Sequence, residues 1–160
     1  MTIVLNGLTG ITTPDVSTDD GGVYAKGNIL GTVAQSAGVP TGAIIQRGSN
    51  ANGEFVRFAD GTLICTGIVA LTNLPTGGSA AVTTVPLPST RLAISVQPAI
   101  AVTIDGTTTP WSSFADRGKY VFSARSTSTT EITILYYAIA GTNPTGGNGS
   151  VFYTMTTRWF

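Results

Sequence analysis

The chain has 160 residues, of which 42% are apolar and only 10% are charged, and its eight basic and eight acidic residues cancel. This length accommodates one ordinary globular core and a modest additional segment, but not two full-sized cores. Because the few charges are scattered and balanced, no basic stripe exists to neutralise phosphates or anionic lipids, which argues against nucleic-acid binding and against a membrane anchor or insertion.

The first 40 residues contain only short apolar groups, such as residues 3–5, separated by Gly, Thr, Asp and Pro. Ordering one backbone residue costs about 1 to 2 kcal/mol, and so few large apolar side chains cannot offset that cost without neighbours. We therefore predict that residues 1–40 form an arm for oligomerisation and for attachment to a larger particle, with a flexible leader as the alternative. Pro40 and Gly42 mark the start of a second unit, residues 41–160.

An alternating run over residues 54–66, interrupted by Asp60-Gly61, is the most strongly patterned stretch. Asp-Gly between two such runs is typical of a two-residue type I′ turn, because both turn residues must accept positive φ. This turn predicts a hairpin with a wholly apolar inner face, formed by Val56, Phe58, Leu63 and Cys65. The outer face would carry Arg57, Ala59, Thr62 and Ile64.

Apolar alternation with a period of two predicts further strands over residues 92–97, 100–104, 119–125 and 151–159. Residues 132–139 are apolar on both faces. Such a strand is covered on two sides, either centrally in a sandwich or between the core and another subunit. The predicted fold class is therefore all-β, an antiparallel β-sandwich or jelly-roll-like domain preceded by an extended N-terminal arm.

The chain contains no histidine and one cysteine, Cys65, which excludes Ser-His-Asp and Cys-His catalysis and zinc sites that use imidazole. Cys65 is predicted to be a small core residue rather than a nucleophile. The Gly-rich stretches 21–22, 77–78 and 143–149 match neither a phosphate loop nor a dinucleotide fingerprint and are interpreted as hairpin tips. We predict no catalytic residue, no metal and no cofactor, so that the chain is not an enzyme.

Paired carboxylates are the remaining route to catalysis, because a glycosidase needs only two of them, about 5 to 10 Å apart. The candidates outside the arm and the hairpin turn are Glu54, Asp105, Asp116 and Glu131. Turn formation and solvation are the simpler interpretation of these residues. A small glycan-degrading depolymerase nevertheless stands as the alternative function.

The stretch with a composition suited to binding is the loop over residues 105–118, which places Trp111 and Phe114 among Thr and Ser residues and close to Asp105. An exposed aromatic ring beside hydroxyls and a carboxylate suits a sugar, whose C–H face stacks while its hydroxyls form hydrogen bonds. The competing interpretation is that Trp111 and Phe114 only pin the loop to the core. A monomeric carbohydrate-binding module is therefore a further alternative.

Residues 41–65, with the segment GSNANGEFVRFADGTLIC, resemble the start of the C-terminal domain of bacteriophage tail-fibre and related virion proteins. The opening residues 6–15 also resemble the N-termini of short virion fibre proteins. Residues 153–159 fit a closing strand of that domain type. Together these segments cover about half of the chain.

The resemblance implies a structural protein of the virion, a β-rich fibre or tip that is commonly trimeric and is assembled in the host cytoplasm. Its N-terminus would bind other virion proteins, and its C-terminal domain would face the host surface. Host surface glycans are a candidate partner through the loop over residues 105–118. The resemblance carries over no catalytic residue. Because the chain has no extended shaft, a small tail or head appendage that only decorates the particle is the alternative.

Overall fold

The computed structural model describes residues 4–6, 10–12, 29–76, 78–92, 98–104, 119–139 and 147–160. Strands dominate these residues, which confirms the all-β prediction. In chain order they are β1 (Val4–Asn6), β2 (Gly10–Thr12), β3 (Gln35–Ser36), β4 (Val39–Pro40), β5 (Ile45–Asn50), β6 (Gly53–Phe58), β7 (Thr62–Leu74), β8 (Ala80–Pro86), β9 (Ala99–Ile104), β10 (Tyr120–Ser126), β11 (Glu131–Ala138) and β12 (Gly147–Arg158).

Two larger sheets build a sandwich, and the strands within each sheet pair in antiparallel fashion. The five-stranded sheet has the order β5-β6-β7-β12-β9, and the three-stranded sheet has the order β10-β11-β8. One cluster of buried side chains joins the two sheets. The short pairs β1-β2 and β3-β4 complete the described strands.

The core is built by alternate residues of the central strands, as strand periodicity requires. Val151, Tyr153 and Met155 of β12 are fully buried, and so are Ile132 and Ile134 of β11. In β10, Tyr120 is buried while Val121 is 54% exposed, so the alternation predicted for residues 119–125 and 151–159 is confirmed. The strand predicted over residues 92–97 lies largely outside the described residues.

The β6-β7 hairpin differs by one residue from the predicted register. Phe55 pairs with Cys65 and Arg57 pairs with Leu63, because the connection has three residues rather than two. The amide of Gly61 donates to the carbonyl of Phe58 at 3.1 Å, and Gly61 has a φ of 92°. This geometry is a β-turn followed by one residue in the left-handed conformation. Glycine adopts that conformation as readily as it adopts the positive φ of the predicted type I′ turn.

The one-residue shift exchanges the faces of β6. Leu63 and Cys65 are buried as predicted, but their partners on the inner face are Phe55 and Arg57 rather than Val56 and Phe58. The inner face is therefore not wholly apolar, and the prediction of its composition was wrong.

Two of the Gly-rich stretches do not lie at hairpin tips. The connection that contains Gly77-Gly78 joins β7 to β8, and the stretch over residues 143–149 leads from β11 into β12. In both cases the two flanking strands belong to different sheets and do not pair with each other as a hairpin. The hairpin-tip interpretation was wrong here, and residues 21–22 lie outside the described part.

The last part of the predicted arm packs along the edge strand β5. Leu30 forms a parallel bridge with Ile45, and the amide of Ala43 donates to the carbonyl of Thr32 at 3.0 Å. Val33 is buried between these segments. Residues 29–43 are therefore tied to the five-stranded sheet, while the role of the arm in attachment stays a prediction.

Candidate assembly surface

The outer face of the three-stranded sheet carries two neighbouring rows of side chains across its strands. Pairing of β11 with β10 and β8 sets the residues of each row directly opposite one another. The rows are Val121–Tyr137–Ala80 and Ser123–Leu135–Val82. Cross-strand neighbours on one face have Cβ atoms about 4.5 to 5.5 Å apart, so the larger side chains form a continuous patch. We call Val82, Val121, Leu135 and Tyr137 the assembly surface.

These four side chains are exposed to an extent that is unusual for a contiguous apolar group. Val82 is 63% exposed, Val121 54%, Leu135 41% and Tyr137 37%. Single exposed apolar residues are ordinary, whereas contiguous patches mark interaction sites. The sequence predicted that residues 132–139 are covered on two sides. One face of that strand lies in the core, whereas Leu135 and Tyr137 on the other face are exposed, so its coverage by another subunit stays a prediction.

A groove of 340 Å³ crosses the same face and is lined by Val82, Ser123, Arg125, Thr133 and Leu135. Arg125 and Thr133 form the next row toward the end of the sheet and give the groove a polar border. An apolar centre with a polar rim is the usual anatomy of a protein–protein interface.

The side chains beneath the assembly surface hold it in place. Ile132 and Ile134 fill the core directly below, and the ring of Tyr136 stacks on Phe122 with centroids 6.4 Å apart. The hydroxyls of Tyr136 and Thr83 lie 3.2 Å apart and link β11 to β8. The surface is therefore presented by packed strands, which limits the entropy lost when a partner binds.

Arg91 fixes the turn between β10 and β11. Its side chain is only 3% exposed, its Nε donates to the carbonyl of Ser128 at 3.1 Å, and its guanidinium also donates to the hydroxyl of Ser126. The amide of Arg91 donates to the carbonyl of Thr129 at 3.0 Å. Burial lowers the pKa of this guanidinium from its usual value.

Burying the exposed part of the assembly surface would contribute roughly 3 to 6 kcal/mol, since a fully buried large apolar side chain contributes about 1.5 to 3 kcal/mol. Association costs about 4 to 15 kcal/mol in lost translational and rotational freedom. One such patch is thus comparable with the cost and does not exceed it. A stable assembly needs the patch of every copy to be covered together with further contacts.

The residues predicted to contact glycans, Asp105, Trp111 and Phe114, lie outside the described residues, and so does Asp116. Of the other candidate carboxylates, Glu54 lies in β6 of the five-stranded sheet and Glu131 begins β11 of the three-stranded sheet. Within the described ranges, no group of three or more His, Cys, Asp or Glu residues could hold a metal ion. In that same part of the chain, no helix has the length and apolarity needed to cross a membrane.

Cys65 is a free cysteine with no exposed surface. Burial raises the pKa of its thiol to about 12, so the group is neutral at physiological pH. Its predicted place in the core is confirmed.

A second exposed apolar pair lies on the five-stranded sheet and was not predicted from the sequence. Ile68 is 68% exposed and Phe152 is 41% exposed, and the two residues are direct partners in the pairing of β7 with β12. Phe152 lies between the buried Val151 and Tyr153. Because neighbouring side chains of a strand point to opposite faces, this position could have identified Phe152 as outward-facing.

The described residues thus form an antiparallel β-sandwich with exposed apolar side chains on the outer faces of both sheets. No protein-family profile matches the sequence, and no curated protein matches it. Among solved structures, the fold is similar to that of an N-truncated R1-type pyocin tail fibre, with a TM-score of 0.51, 15% sequence identity, and coverage of 71% of this chain and 87% of that chain. At this identity the likeness shows a tail-fibre-like fold alone.

A longer fragment, the C-terminal residues 323–701 of the R1 pyocin fibre of P. aeruginosa, matches with a TM-score of 0.46 and 15% identity. That match covers 71% of this chain and 28% of the fragment.

Proposed function

We propose that this chain is a structural component of a phage or pyocin-like particle, a tail fibre or a tail or head appendage, which acts by assembly and surface contact. The observation that carries the proposal is the assembly surface, four exposed apolar side chains held in register on a packed sheet. A tail-fibre-like fold and the sequence resemblance of residues 41–65 support the same role.

In the proposed assembly, three copies of the chain associate so that sister chains cover each assembly surface. A homotrimer agrees with the resemblance to virion fibre proteins. The energetics require only a closed assembly, which covers the patch of every copy and adds contacts that one isolated patch lacks, and the resemblance is what favours three copies. No catalytic step is part of this role.

The N-terminal arm attaches the trimer to other virion proteins. Its last described residues, 29–40, belong to the segment 29–43 that is bound to the edge strand β5, which would fix where the arm leaves the domain. The parts of the domain that sister chains leave free face the host surface and contribute to attachment. The finished protein is located in the virion.

Immunogold electron microscopy of purified particles tests the proposal. An antibody against the recombinant chain should label a defined position on intact particles, with particles lacking this chain as the negative control. The proposal is wrong if the chain is abundant in infected or induced cells but absent from purified particles by both labelling and immunoblotting.

A further inference from the structure

A groove of 510 Å³ lies on the outer face of the five-stranded sheet, away from the assembly surface. Its floor is formed by Phe152 of β12 with Ile68 and Thr66 of β7, and its wall is the turn over residues 50–53, followed by Glu54. From this combination of groups, we propose that the groove binds a neutral sugar, with one ring stacked on Phe152. This inference rests on the proposed function only for the source of the sugar, which is the host surface.

The register of the strands places apolar and polar groups in adjacent rows. Phe152 lies opposite Ile68, and the next row contains Thr154, Thr66 and Glu54. A sugar ring has an apolar C–H face and a rim of hydroxyls, so it can stack on an aromatic ring while its rim reaches hydroxyls and a carboxylate.

The dimensions of the groove suit more than one sugar ring. Neighbouring strands are about 4.8 Å apart, and Phe152 and Glu54 lie two strands apart, which separates them by roughly 10 Å across the sheet. One ring on Phe152 therefore leaves room for a second ring beside Thr66 and Glu54.

The wall of the groove is preformed. The side-chain amide of Asn50 donates to the carbonyl of Pro88 at 3.0 Å, and its Oδ1 accepts from the amide of Asn52 at 2.9 Å. Tyr153, on the buried face of β12, donates through its hydroxyl to the carbonyl of Asn52 at 3.3 Å. A wall fixed in this way loses little conformational entropy on binding. A small loss is important for a sugar, because a hydrated sugar gains little free energy when it binds.

The charge of the groove selects among ligands. Glu54 is exposed and brings a negative charge to the rim, which disfavours acidic sugars and phosphorylated groups. Beside the apolar Phe152 and Ile68, the lining contains a hydroxyl, side-chain amides and a carboxylate, whereas the assembly surface consists of Val, Leu and Tyr side chains. A neutral glycan fits this lining better than a second copy of the chain does.

Saturation-transfer NMR on the full chain tests the inference with maltose, lactose and N,N′-diacetylchitobiose as probes. We expect transfer to the ring protons of at least one of these sugars. Phe152→Ala should weaken that binding about tenfold, the effect of losing about 1.4 kcal/mol of stacking. Phe152→Trp should retain it, and Thr156→Ala, an exposed change on the same face of β12, should leave it unchanged.

Two results would overturn the inference: no transfer to any of the three sugars, or binding that persists unchanged in Phe152→Ala. A third is a fall in the molar mass of the assembly in Phe152→Ala, which would make the groove an interface between copies. Because the molar mass and the sugar binding are measured separately, failure of the sugar site is distinguishable from failure of the proposed assembly.

Discussion

At the scale of single residues, the alternation of the sequence placed Arg57 on the wrong face of its strand. It lies on the inner face of β6, where its Nε donates to the hydroxyl of Ser89 at 3.0 Å. Its guanidinium is 5.5 Å from the ring centre of Phe55 and 5.4 Å from that of Trp159. Cation–π contacts and a hydrogen bond thus let a charged residue occupy a position that an apolar pattern would reserve for a core side chain.

Gly53 is predicted to be intolerant of any side chain. A Cβ atom there would lie 2.1 Å from the carbonyl oxygen of Thr66, and φ is 129°. Gly38 also has a positive φ, 86°, but open space around it. We expect Gly38→Ala to lower the free energy of unfolding by about 1 kcal/mol and Gly53→Ala to lower it by at least about 3 kcal/mol.

Urea denaturation of the two variants measures this difference, with Gly38→Ala as the control for backbone strain alone. Equal losses in both variants would show that the close approach of the turn to β7 is unimportant.

The stability of the fold should fall at alkaline pH. Burial raises the pKa of Cys65 from 9.0 to about 12 and that of Tyr153 from 10.0 to about 12. Below the pKa values that the two groups have in the unfolded chain, both groups are neutral in the folded and the unfolded state, so their contribution to stability is fully present. As the pH rises from about 9 toward 12, the unfolded chain ionises first, and this contribution is lost.

Thermal unfolding between pH 7 and 11 tests this dependence on pH. Cys65→Ala should be less stable at pH 7 because it leaves a small cavity, but its stability should decline less steeply above pH 9. An identical decline in the variant and in the natural protein would mean that the thiol does not contribute.

At the scale of elements, β11 has two apolar faces with different roles. Ile134 is fully buried in the core, whereas Leu135 is 41% exposed on the assembly surface. In a dissociated protein, Ile134→Ala should cost about 2 to 5 kcal/mol of unfolding free energy. Leu135→Ala should cost less than about 1 kcal/mol, because it removes few intrachain contacts.

Chemical denaturation at a dilution where both variants have the same oligomeric state provides the comparison. A loss for Leu135→Ala as large as that for Ile134→Ala would show that the outer face is part of the folded core and is not available to a partner.

Strand type could be predicted from the sequence, but strand pairing could not. Period-two alternation is a local property, so β10 and β12 were recognised with the correct faces. The register of β6 against β7 depends on whether the Asp60-Gly61 turn has two or three residues, and glycine satisfies both geometries. The pairing of β7 with β12 joins segments far apart in the chain and leaves no local signal.

At the scale of the whole molecule, the sequence indicated one of the two candidate sites, the assembly surface, and not the groove at Phe152. The two apolar faces of residues 132–139 predicted apolar side chains on the outer face of this strand, and Leu135 and Tyr137 are found there, while their coverage by a partner stays a prediction. The groove at Phe152 could not be predicted, because its residues come from strands whose order in the sheet only the fold defines. The proposed glycan contacts Asp105, Trp111 and Phe114 stay a prediction.

The proposed role of the protein therefore depends on sister chains covering the assembly surface. Leu135→Lys places a positive charge at the centre of that surface, beside the exposed Arg125. The two like charges repel each other, and burying them in an interface costs the free energy of their hydration. Thr156→Lys places the same charge on the exposed face of the other sheet and serves as the matched control. Circular dichroism checks that both variants are folded.

Light scattering coupled to size-exclusion chromatography is the most direct measurement. The natural protein and Thr156→Lys should have a molar mass of three times 16.4 kDa, or 49.2 kDa, and folded Leu135→Lys should have 16.4 kDa. A natural protein that is monomeric at every concentration, or a folded Leu135→Lys variant that keeps the mass of the natural assembly, would contradict the account.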